Sequence, residues 1–135
     1  MTTISQRYAN IVTQGWTMMF LVFLANLSID MTKCAVNADC SVWAGHIGIG
    51  GVKFITVIMM IYAIVPMLVR TVTGRWIRIA VLPVTVFITL FYVAHELSHR
   101  GDKAFGIYHA LDITHHVFGV WVIITAVKWL RLKDE

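Results

Sequence analysis

Charge is scarce in this sequence: Asp, Glu, Lys and Arg together make up 13% of its 135 residues, about half the usual soluble share of roughly 25%. That scarcity excludes a disordered chain, which carries many charges and few aromatic or branched side chains. Proline and cysteine are nearly absent, with two of each, and two cysteines carry little weight by count. A net charge of +4 is no nucleic-acid footprint, because most basic residues stand just beyond apolar runs, where membrane orientation accounts for them. What is plentiful is apolar surface, 59% of residues against a usual level of about 45–50%. The balance reads as an integral membrane protein and excludes a soluble multidomain enzyme. At about 20 residues per crossing, the length holds a single membrane domain of four spans with nothing left for a second.

The apolar runs predict an all-α bundle of four transmembrane helices over 11–29, 43–69, 76–98 and 105–130, each long enough to cross a bilayer alone or nearly so. Between them lie a polar, cysteine-bearing turn from Asp30 to Asp39, a basic turn from Arg70 to Arg75, and a charged turn from Arg100 to Lys103, the expected punctuation. Pro66 and Pro83 fall inside runs, which membrane helices tolerate, with a bend expected at each. The sequence has no internal repeat. The first run lacks the compact basic leader and small-x-small site of a cleaved signal peptide.

Orientation follows from the basic residues. With the N-terminus cytoplasmic, seven of them (Arg7, Arg70, Arg75, Arg78, Lys128, Arg131 and Lys133) lie inside and three (Lys33, Arg100 and Lys103) outside. Both termini are therefore expected in the cytoplasm, in a bacterial inner membrane or its equivalent. Cys34 and Cys40 then fall in an extracytoplasmic turn, where a disulfide across five intervening residues is permitted; two free thiols are the alternative.

Under this topology all six histidines gather at one face of the membrane. His46 opens the second helix, His95 and His99 close the third, and His109, His115 and His116 enter the fourth. At 100° per residue, His46, Gly50 and Lys53 share an arc of about 60°, as do Tyr92, His95 and His99, and as do His109, Asp112 and His116. His115 is turned about 100° from His116, which makes it a helix-contact residue rather than a member of the stripe. Ionisable groups cost on the order of 2.5–3.5 kcal/mol each in hydrocarbon, so the stripes are expected to face one another inside the bundle, with Asn26 and Asp30 joining from the first helix. Lys53, about 15 Å deep, is expected to point inward and lie close to Asp112 or to a bound anionic group. Gly45, Gly48, Gly50 and Gly51 near His46 allow close helix approach or leave room for a flat cofactor.

Two short motifs suggest chemistry. His95-Glu-Leu-Ser-His99 fits H-E-x-x-H, in which two histidines one turn apart hold zinc and the glutamate is a general base. It is also similar to the first histidine box of membrane alkane hydroxylases, whose further boxes bring histidines to a non-haem di-iron centre. Asp112-Ile-Thr-His115-His116 would stand for a second box with aspartate in place of its first histidine. Tyr108-His109, followed by His116 after six residues, resembles the haem-ligand helix of cytochrome b-type anchors of the succinate dehydrogenase kind, with His115 where that family has arginine.

Three functional expectations follow. The first is a haem b protein passing electrons at the outer leaflet, in exchange with a quinone. Its ligands would come from His46, His95, His109 and His116, with Arg100 and Lys103 at the propionate rim. The second is an iron, zinc or copper enzyme ligated by His46, His95, His99, His109, Asp112 and His116, with Glu96, Lys53 and Asp112 as catalytic groups. The third is a proton- or ion-coupled carrier, or an accessory subunit of a larger membrane complex or homo-oligomer, that uses Lys53, Asp112 and the histidines as a relay.

Overall fold

A computed structural model describes residues 3–37, 48–72, 74–98 and 107–132. They form four helices: α1 over Ile4–Asn37, α2 over Gly48–Thr71, α3 over Arg75–Ser98 and α4 over Ile107–Leu130. All four contain a segment long and apolar enough to cross a membrane. The expected starts of the second and fourth spans, 43–47 and 105–106, lie outside the described residues, and α1 extends beyond the expected apolar run at both ends. Its 34 residues make a rod of about 50 Å, longer than a hydrocarbon core of about 30 Å, so polar turns extend past the greasy centre. Pro66 and Pro83 lie inside α2 and α3.

The helices pack in chain order around a ring. α1 lies against α2 and, most extensively, α4; α3 lies against α4; and α2 meets α3 along the sparsest seam. Cross-helix pairs show the antiparallel register. Ser5 of α1 meets Trp129 near the end of α4, while Asn26, two-thirds along α1, meets Asp112 near the start of α4.

Buried positions explain why this sequence makes a bundle. Asp112, His115, Gly119, Val122, Ala126 and Trp129 are buried along α4, in alternating steps of three and four. Arg78, Val81, Thr85, Ile88 and Tyr92 repeat the pattern on α3. Such spacing lays one seam along a helix and favours side chains that interlock with those of antiparallel neighbours. Trp16 and Tyr62 fill the centre edge to face, 5.5 Å between ring centroids, and Phe20 and Phe23 stack on Tyr62 at 5.7 and 5.6 Å.

Polarity runs opposite to that of a water-soluble domain. Leu21, Val57, Met60, Phe87, Leu90, Val117 and Ile124 are exposed, whereas Thr85, Thr89, Asp112, His115 and Thr125 are buried. Three interior hydroxyls are satisfied locally: Thr85, Thr89 and Thr125 donate to the carbonyls of Val81, Thr85 and Trp121, four residues back. Trp16 Nε1 donates across the bundle to Thr85 Oγ1 at 3.1 Å. An apolar exterior around a hydrogen-bonded interior suits hydrocarbon, where packing and hydrogen bonds rather than hydrophobic burial hold helices together.

Small residues set the closest approaches. A Cβ on Gly119 would come within 2.5 Å of Thr89 Oγ1 and 2.9 Å of Thr89 Cγ2, and one on Gly15 would collide with Val122. These two glycines are close-packing positions between helices; of the glycines near His46, Gly45 lies outside the described residues. At the opposite end Arg78, only 5% exposed, donates to the carbonyls of Trp129 and Leu132 at 3.5 and 3.2 Å. A cation there satisfies carbonyls that the end of α4 leaves without helical partners. Arg78 thus fastens the start of α3 to the end of α4, beyond marking an orientation.

Candidate functional site

The polar groups converge in the half of the bundle that holds the end of α1 and the start of α4, and every helix contributes. His115, on the α4 seam, is completely buried. Its Nε2 lies 2.5 Å from the hydroxyl of Tyr62 on α2. Tyr92 of α3 lies flat on the His115 ring, with centroids 3.9 Å apart and planes 16° apart. The imidazole is therefore held at one nitrogen and covered on one face.

Asn26 of α1 ties this unit to a carboxylate. Its Nδ2 donates to Tyr92 Oη at 2.5 Å and to Asp112 Oδ1 at 3.0 Å, which uses both protons of the amide. Asp112 is 8% exposed. One turn along α4, His116 Nε2 pairs with Glu96 Oε2 of α3 at 2.7 Å. The His116 ring stands edge-on to Tyr92 at 5.8 Å and to His115 at 6.0 Å, so both polar pairs border the same tyrosine.

Three buried atoms of the cluster have no hydrogen-bond partner: His115 Nδ1, His116 Nδ1 and Asn26 Oδ1. If Tyr62 donates to His115, Nε2 accepts and the ring proton sits on Nδ1, leaving a buried donor. The opposite tautomer leaves a buried acceptor there and an idle tyrosine proton. Either way one imidazole nitrogen is engaged and the other is available, which is what a group needs to receive a proton at one side and release it at the other.

The expected residues divide clearly. Asp112, His116, Glu96, Tyr92 and Asn26 come together. His115, expected off the common face, is instead the centre, and Tyr62 completes it. Lys53 is exposed on α2, so the expected inward lysine and its pairing with Asp112 do not hold; Asp112 is held by Asn26. His95 is exposed on α3, where its ring stacks along Phe91 with centroids 6.3 Å apart. His109 is half-buried on α4. His46, His99, Arg100 and Lys103 lie outside the described residues. Cys34 is disulfide-bonded, and Cys40, the other cysteine of the sequence, also lies outside the described residues.

Two-histidine haem ligation needs facing imidazoles from two helices; of the expected ligands, His95 stands on α3 and His109 and His116 on α4. His109, His115 and His116 share one helix, and the space between α3 and α4 is filled by the Tyr92–His115 stack and the Glu96–His116 bond. Among the described residues, no group of three or more His, Cys, Asp or Glu is placed to hold a metal ion. The arrangement sets a hydroxyl beside an imidazole at Tyr62–His115 and an imidazole beside a carboxylate at His116–Glu96. No protein-family description, curated protein or solved structure matches the chain.

Proposed function

We propose that this protein is a small integral membrane proton carrier, working alone or as a subunit of a larger membrane complex, with Tyr62, His115, Tyr92, Asn26, Asp112, His116 and Glu96 as its relay. The observation that carries the reading is His115. It is fully buried at about 12 Å from the start of α4, bonded at Nε2 and unpartnered at Nδ1. Ionisable groups are costly at such depth and, where present, mark pathways or sites. Imidazole suits the task because protonation at one nitrogen can be matched by release from the other.

Orientation belongs to the same proposal. Both termini face the cytoplasm, as the seven-to-three basic asymmetry favours; the disulfide at Cys34 supports the same orientation, since disulfides persist in oxidising compartments. The relay then opens toward the extracytoplasmic leaflet.

Purified protein in vesicles containing a trapped pH dye tests the reading. Under a potassium-diffusion potential, the wild type should acidify or alkalinise the lumen faster than empty vesicles, and Asp112→Asn should slow it. Wild-type flux equal to that of empty vesicles would overturn the relay. If pyridine extraction released stoichiometric haem, or metal analysis found stoichiometric iron, zinc or copper, the redox readings would replace it.

A further inference from the structure

Three buried atoms without partners in one cluster are more than a well-packed interior tolerates. Each such atom forfeits a hydrogen bond that water would have supplied. His115 Nδ1, His116 Nδ1 and Asn26 Oδ1 are buried and unpartnered, and their residues surround a single ring, that of Tyr92. Tyr92 stacks on His115 at 3.9 Å, meets His116 edge-on at 5.8 Å and accepts from Asn26 at its hydroxyl.

The chemistry of the set selects the guest. Asn26 Oδ1 only accepts. His116 Nε2 faces Glu96 Oε2; with the ring proton on Nε2 alone, Nδ1 is an acceptor, and with both nitrogens protonated it is a donor. His115 Nδ1 donates when Tyr62 donates to Nε2. A metal cation would need acceptors throughout and an anion would need donors throughout. A mixture of the two, in a polar interior, is what buried water satisfies with its two to four bonds.

We propose that water binds inside the bundle at His115 Nδ1, His116 Nδ1 and Asn26 Oδ1, and joins the Tyr62–His115 pair to the Glu96–His116 pair. This deepens the relay reading and rests on it, since it supplies the connection between two pairs whose imidazoles stand edge-on with both Nδ1 atoms unpartnered. The contrast within the bundle is Trp16, whose Nε1 donates to Thr85 Oγ1 and so has no proton left for water.

Solid-state NMR on the full chain in bilayers, labelled with nitrogen-15 at histidine and tryptophan, tests the site by magnetisation transfer from water. The His115 imidazole, assigned by the signal lost in His115→Gln, should gain water magnetisation several-fold faster than the Trp16 indole. Asn26→Leu, which removes one of the three anchors, should slow transfer to His115 while leaving Trp16 unchanged. Equal rates at His115 and Trp16 in the wild type would overturn the proposal. The result is separable from the transport assay: water at His115 without proton flux sinks the relay and keeps the site, and flux with a dry His115 does the reverse.

Discussion

His115 and Tyr62 are each useful to the other because neither has a better partner at that depth. Tyr62→Phe leaves His115 Nε2 buried without its hydrogen bond, so it should destabilise the fold by about 1–3 kcal/mol. In a double-mutant cycle with His115→Gln, the two effects should couple by about 0.5–3 kcal/mol, as read from unfolding in mixed detergent. Additive effects would mean that the bond contributes nothing. Lys53→Met should behave in the opposite way. Because Lys53 is exposed, its removal should change stability by less than about 0.5 kcal/mol. A loss of several kcal/mol would restore the inward lysine that helical phase suggested.

At the scale of single helices, Gly119 is the sharpest lever. Gly119→Ala would set a methyl against Thr89 and force α3 from α4 at a cost of about 1–3 kcal/mol. Thr89→Ala removes the offending Oγ1 and Cγ2, so the double variant should recover part of the loss in the same unfolding assay. If it recovers none, the contact is not what limits the approach. The four helices were legible from apolar runs because hydrocarbon thickness dictates length. The site was legible only in part. A phase drawn through histidines alone favoured His109, Asp112 and His116 and turned His115 away. The alternating three- and four-residue steps through Asp112, His115, Gly119, Val122, Ala126 and Trp129 were present in the sequence and put His115 on the seam. Tyr62 carried no comparable signal, since a tyrosine in an apolar run reads equally well as packing. Lys53 misled because depth says a charge must be accommodated without saying on which side of the helix it lies.

For the molecule as a whole, the two ends of the bundle differ in kind. At one end Arg78 and the Trp129–Ser5 bond clamp helix termini; at the other, groups able to exchange protons meet. Arg78→Met should therefore lower thermal stability, by about 1.5–3 kcal/mol for lost bonds to a charged donor, yet leave proton flux per folded molecule unchanged. A loss of flux in a fully folded variant would extend the relay to both ends. Cysteine introduced at position 72 should react only with a reagent admitted to the cytoplasmic side, and one at position 36 only from outside; the reverse would invert the molecule and move the relay to the cytoplasmic leaflet. The most direct measurement of the central claim compares proton flux through His115→Gln and His95→Ala in the same vesicles. His115 is wholly buried within the cluster and His95 is exposed on α3, so flux should fall to the level of empty vesicles in the first and stay near wild type in the second. Flux that survives His115→Gln and is lost in His95→Ala would contradict the account and return the chemistry to the histidine pair that opens with His95.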